Sequence, residues 1–152
     1  MKRRILVDGD GCPVVNEVLT AAKRFGLECI LLCDTAHTIQ REGARTIVVS
    51  KGADSVDLAL ANMAGPGDVA VTQDYGLAAL CLAKGARVLH QDGMEYTSQN
   101  IDGLLMARHT AQKIRRSDGR LKGPPKRLPA QNQAFLQALC ALLEEKSPKG
   151  EA

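Results

Sequence analysis

Short apolar runs alternate along this chain with longer segments whose apolar residues recur every three or four positions. The runs at 5–7, 27–33, 46–49, 69–72 and 86–89 are near-continuous in Val, Ile, Leu, Ala and Cys, and predict five buried strands. Between them, Val15, Val18, Leu19 and Ala22 mark a helix stopped by Gly26, with Pro13 suited to its first turn. Val56, Ala59, Leu60 and Met63 mark a second helix over 54–64, closed by the break Gly65-Pro66-Gly67. Leu77, Leu80 and Cys81 are the expected inward face of a third, over 75–84. A long amphipathic helix is predicted from Thr97 to about Arg116, with Thr97 or Ser98 as its N-cap. The last helix, 131–145, places Phe135, Leu136, Leu139 and Leu142 on one face. Residues 34–44 and 117–129 read as loops.

Strands that are apolar throughout, rather than at alternate positions, belong in a sheet covered on both faces. Alternating with helices, they predict an α/β fold of three layers, with a central parallel sheet of about five strands. One domain is expected over 1–146, including the basic helix and loop 97–129 and the final helix 131–145, followed by a flexible tail at 147–152. In such a sheet, ligands bind beyond the carboxyl ends of the strands, where the strand order reverses.

Composition narrows the picture. The 152 residues are 45% hydrophobic but hold no Trp and only two Tyr and two Phe, so the core is aliphatic. No run approaches the roughly 18 apolar residues of a membrane span. The N-terminal apolar run is three residues long, too short for a signal peptide. A cytoplasmic protein without a membrane partner is expected. Five cysteines (Cys12, Cys29, Cys33, Cys81, Cys140) show no C-x-x-C spacing, which argues against a zinc finger or disulfide framework and for reduced thiols. Cys12 is the one thiol near the candidate chemistry, and packing is its expected role. Charge is uneven: residues 108–127 hold eight Lys or Arg against Asp118, a net +7, while the rest of the chain carries −4. A basic stretch on an acidic body suits either a solvated face or a phosphate backbone.

The acids supply the candidate chemistry. Asp8 ends the first strand and Asp74 follows the fourth, so both belong at one edge of a parallel sheet. Asp10 lies on the first strand-to-helix loop, and Asp54 and Asp57 open the second helix, at that same edge. Asp54 and Asp74 also suit helix caps, and Asp57 suits the positive end of a helix dipole. Asp68 precedes its strand and is read as turn chemistry at the opposite edge. Converging carboxylates repel one another, and a divalent cation offsets that cost; oxygen donors without histidine suit Mg²⁺ or Mn²⁺. Two reactions use such an edge. In a haloacid dehalogenase-like phosphatase, Asp8 of the D-x-D in ILVDGDGCP would be the nucleophile. In metal-dependent phosphodiester hydrolysis, the acids hold the cation and the basic segment binds nucleic acid. A non-catalytic nucleic-acid-binding module is the third reading.

VDGDGCPV, the D-x-x-D of DSVDLAL, GDVAVTQDYGLAALCLAKGARVL and RHTAQKIRR together resemble the bacterial YaiI/YqxD family, a PIN-like group. The departure lies after GPP, where KRLPAQNQAF lacks an acid the family tends to carry. The resemblance implies a PIN-like fold and a nuclease, acting on RNA with Mg²⁺ or Mn²⁺. It implies Asp8, Asp57 and Asp74 as metal ligands, with Asp10 and Asp54 as additions. Arg108, Lys113, Arg115 and Arg116 are the expected phosphate contacts, and His109 could join them.

Overall fold

In β1 (Arg4–Asp8), Ile5, Leu6 and Val7 are completely buried. Ile5 and Val7 join one apolar cluster and Leu6 the other, because successive strand residues point to opposite faces. The computed structural model describes residues 3–52, 55–107 and 126–145. Among them the further strands are β2 (Glu28–Asp34), β3 (Arg45–Val49), β4 (Val69–Val71), β5 (Arg87–Leu89) and β6 (Glu95–Tyr96). They form one sheet in the order β3-β2-β1-β4-β5-β6. Neighbouring pairs are parallel except β5 and β6.

Helices cover both faces. On one side α1 (Val15–Phe25) and α5 (Pro129–Glu144) bury Val15, Val18, Phe135 and Leu139 against Ile5, Val7, Leu31 and Val71. On the other, α2 (Ser55–Met63), α3 (Tyr75–Ala83) and α4 (residues 101–107) bury Leu60, Leu77, Cys81 and Ile101 against Leu6, Ile30, Leu32 and Val88. Each such fully buried aliphatic side chain contributes about 1.5–3 kcal/mol of transfer free energy. The expected three-layer α/β architecture is therefore present.

Five details differ from the sequence reading. The sheet has six described strands, not five. β6 is a two-residue strand returning through a turn at Gly93, and its buried Tyr96 donates its hydroxyl to the Thr72 carbonyl at 3.2 Å. Helix α4 is regular from residue 101 rather than 97, although Thr97 does cap the turn before it: Thr97 Oγ1 accepts from the Asn100 N–H and Asn100 Oδ1 from the Thr97 N–H. Pro13 precedes α1, which starts at Val15. Leu80 is 49% exposed, and the inward face of α3 is Leu77, Ala78 and Cys81. By contrast, α5 starts two residues earlier than predicted, at Pro129, whose missing N–H costs nothing in a first turn.

At the amino edge of the sheet, Asp68 does more than shape a turn. It accepts from Arg4 Nη2 at 2.7 Å, Arg4 Nε at 3.0 Å and the Gly65 N–H at 3.0 Å. Arg4 also donates to the Met63 carbonyl. This part-buried, bidentate pair ties β1 to the turn before β4.

Candidate functional site

The chain runs outward from β1 to β2 and β3, then returns to place β4 on the other side of β1. The order reverses between β1 and β4, and there the two strand ends diverge and open a crevice. Asp8, Asp10, Cys12, Thr72, Gln73 and Gln91 line it, with Val71 at its floor.

Asp8 sits on the last residue of β1 and is partly buried. Its Oδ2 accepts from the Thr72 hydroxyl at 2.9 Å, and Thr72 Oγ1 accepts in turn from the Asp74 N–H at 3.0 Å. One buried hydroxyl thus joins the ends of the two strands. Burial pushes the Asp8 carboxyl above its ordinary value; the Thr72 bond opposes this, and the charges of Asp74 and Asp10 add to it. The Asp74 carboxylate caps α3, its Oδ1 accepting from the Leu77 N–H at 3.1 Å. The expected capping role is therefore real, and it also fixes Asp74 beside Asp8. Asp57 lies in the first turn of α2 and is half-buried; its charge and that of Asp8 both reach Cys81 on α3.

The loop around Asp10 follows from its glycines. Gly9 donates its N–H to the Leu32 carbonyl at 2.8 Å, and a Cβ on Gly9 would stand only 2.8 Å from that oxygen. Gly11 takes a positive φ of 68°, which favours glycine. Asp10 is exposed, with His37 Nδ1 at 3.8 Å from its Oδ1. The Cys12 thiol is pushed up to about 11, chiefly by burial, and its side chain packs against the core beneath α1. That agrees with a packing role and against a thiolate nucleophile at neutral pH.

Sequence reasoning missed several residues at this edge. Thr72 is the link between the two strand ends. Asp34 ends β2 as Asp8 ends β1. Its Oδ1 accepts from the Ala36 and His37 N–H groups and contacts His37 Nδ1, each at 2.9 Å, and the His37 ring holds its carboxyl below the ordinary value. The signal was present: LECILLCD repeats the pattern of ILVD, an apolar strand ending on an aspartate. Gln73 and Gln91 carried no sequence signal at all.

Asp54, Arg108, Lys113, Arg115, Arg116 and His109 lie outside the described residues. Of the basic segment's ends, Arg127 is described, and it is engaged by protein. It bonds Asp92, the Gln91 carbonyl and Asn132. Among the described residues, no three His, Cys, Asp or Glu side chains are grouped closely enough to hold a metal ion by themselves. The arrangement is more open than a cage.

Fold and site together define an α/β protein with an acidic crevice at the order reversal of a mainly parallel sheet. The chain belongs to the YaiI/YqxD family: a family model described as "Uncharacterized BCR, YaiI/YqxD family" matches residues 6–145. A UPF0178 protein of Exiguobacterium sibiricum is 49% identical over 144 residues, covering 95% of this chain and 99% of its own. Another, of Ruminiclostridium cellulolyticum, is 45% identical over 144 residues, covering 95% and 94%. Among solved structures, a point mutant of Rae1 (YacP) from Bacillus subtilis aligns with a TM-score of 0.44 at 12% identity, over 95% of this chain and 98% of that one. Among the described residues, no helix is long and apolar enough to cross a membrane.

Proposed function

We propose that this protein is a Mg²⁺- or Mn²⁺-dependent nuclease that hydrolyses phosphodiester bonds in RNA. The observation that carries this reading is the pairing of Asp8 and Asp74 across the order reversal, joined by Thr72. Among the described residues, the hydrogen bonds that Asp8 accepts come from a hydroxyl and the Asp10 backbone, neither of them a cation. A half-buried carboxylate next to two others is costly to ionise, and a divalent cation offsets that cost. Asp8 and Asp74 would hold it, with Asp57, Asp10 and Asp54 as further oxygen donors. When bound, the cation supplies an activated water and stabilises charge on the phosphate. Arg108, Lys113, Arg115 and Arg116 contact the backbone phosphates on this reading, and the +7 charge of their segment supports it. RNA as the substrate follows from the PIN-like resemblance.

The test is cleavage of single-stranded RNA in Mn²⁺ by the wild type, Asp8→Asn and Asp74→Asn. Cleavage that both variants lose supports the reading. Equal cleavage by all three points to a contaminant and removes it. Salt-sensitive RNA binding without cleavage identifies a binding module, and turnover of small phosphomonoesters through an aspartyl-phosphate on Asp8 identifies a phosphatase.

A further inference from the structure

The turn between β5 and β6 brings Gln91 to the crevice, and its backbone is held at several points. The Gly93 N–H bonds the His90 carbonyl at 2.9 Å, the His90 N–H bonds the Met94 carbonyl at 2.8 Å, and the Asp92 N–H bonds His90 Nδ1 at 3.0 Å. Gly93 has a φ of 97°, and a Cβ there would stand 3.0 Å from the Ala134 carbonyl, so the turn lies directly against α5. Arg127 closes the assembly from that side. Its Nη2 donates to the Gln91 carbonyl at 2.7 Å, its Nη1 pairs with Asp92, and its Nε donates to Asn132 Oδ1 at 2.7 Å. Asn132 in turn donates to the Pro13 carbonyl at 3.5 Å, on the loop that carries Asp10 and Cys12. Both sides of the crevice are therefore tied to one guanidinium.

The brace also holds the carbonyl of Gln91, which lines the crevice with Asp8 and Asp10. Its carbonyl is clamped, while its carboxamide has no hydrogen-bond partner among the described residues. A fixed backbone with an uncommitted polar side chain at a site's rim suits ligand contact. We infer that Gln91 contacts the nucleoside part of the substrate, and that Arg127 is the positioning residue that sets it there. A carboxamide both donates and accepts and carries no charge, which matches a base edge or sugar hydroxyl rather than a phosphate. All three guanidinium nitrogens have separate partners, so a lysine cannot replace Arg127. This inference rests on the nucleic-acid reading above.

The test uses the full chain, ¹⁵N-labelled, in a buffer where Ca²⁺ replaces Mg²⁺, titrated with a short single-stranded oligoribonucleotide and, separately, with inorganic phosphate. The Gln91 side-chain amide resonance is expected to shift with the oligonucleotide and not with phosphate. Gln91→Ala weakens binding by about 3–10-fold, the range for one lost hydrogen bond. Arg127→Lys weakens it similarly, and the double variant binds no worse than Gln91→Ala alone, as expected when one residue acts through the other. Additive losses would overturn the positioning role. A Gln91 amide that stays still while resonances around Asp8 and Thr72 move overturns the inference and leaves the nuclease reading standing. A shift with phosphate alone overturns the nucleoside assignment. If no crevice resonance moves with either ligand, the inference falls, while RNA cleavage by the Asp8→Asn comparison decides the nuclease reading independently.

Discussion

Replacing Thr72 by Val removes one oxygen and keeps the β-branched shape. Thr72 is 3% exposed, so water cannot readily substitute for the lost hydroxyl. Two hydrogen bonds disappear: one donated to the Asp8 carboxylate at 2.9 Å, one accepted from the Asp74 N–H at 3.0 Å. A hydrogen bond to a charged group contributes about 1.5–3 kcal/mol, and a buried N–H without a partner costs about 1–3 kcal/mol. The two losses share one atom and are not independent, so about 2–4 kcal/mol of destabilisation is expected. For a chain of this size each kcal/mol lowers Tm by about 2–4 °C, giving a fall of roughly 5–15 °C. The second consequence is electrostatic: the Thr72 bond opposes the upward shift of Asp8, so its removal raises the Asp8 pKa further. Thermal unfolding measures the first effect and carboxyl NMR titration the second, with Thr72→Ser as a control that keeps both bonds and stays close to wild type. A Thr72→Val protein with unchanged Tm and unchanged Asp8 titration would refute the reasoning.

Four further outcomes follow from the geometry. Burial holds the folded Asp8 carboxyl above its unfolded value, so the folded chain binds that proton more tightly. Asp8 stability is therefore retained at low pH and declines as pH rises from the unfolded to the folded pKa. In metal-free buffer, Asp8→Asn should raise Tm at pH 7, with the gain vanishing at acid pH; a variant less stable at pH 7 contradicts this. At the other edge, Arg4→Met leaves the buried Asp68 uncompensated and should cost about 3–5 kcal/mol in urea unfolding. Gly9→Ala drives a Cβ to 2.8 Å from the Leu32 carbonyl and should destabilise by about 1–3 kcal/mol, read by the same unfolding assay. The Cys12 thiol, pushed up to about 11, should react slowly with iodoacetamide at pH 7 and faster as pH rises toward 10; rapid labelling at pH 7, mapped to Cys12 by mass spectrometry, would contradict its burial.

Much of the framework could be read from the apolar pattern, because burial on both faces leaves a strand no polar positions. ILV, LECILLC and VAV are legible for that reason. β6 was not: two residues carry no periodicity, and Tyr96 is buried only because α3, α4 and Thr72 surround it. Leu80 shows the converse limit, since hydrophobicity alone does not say which side of a short apolar helix faces inward. At the candidate site, Asp8 was legible as an acid directly on a strand end. Asp74 was legible too, with cap and strand-end readings that the structure shows to be one geometry. Thr72 was obscured because its role depends on two partners that only the sheet brings together. Gln91 was obscured because the brace that fixes it runs through Arg127, which the sequence shows only as one charge of a basic stretch.

The parallel pairing of β1 with β4 also sets when the crevice can exist. Asp8 and Thr72 are 64 residues apart in the chain, and every element from α1 to α2 lies between them. No hairpin or local turn can assemble the pair, and closing so long a loop precedes any contact that stabilises it. Pairing of β1, β2 and β3 among themselves leaves Asp8 without Thr72 and Asp74. The crevice comes into being only when β4 pairs with β1. A chain without that pairing carries Asp8 and Asp10 but no crevice, so the Asp8–Thr72 hydrogen bond reports that β4 has docked beside β1.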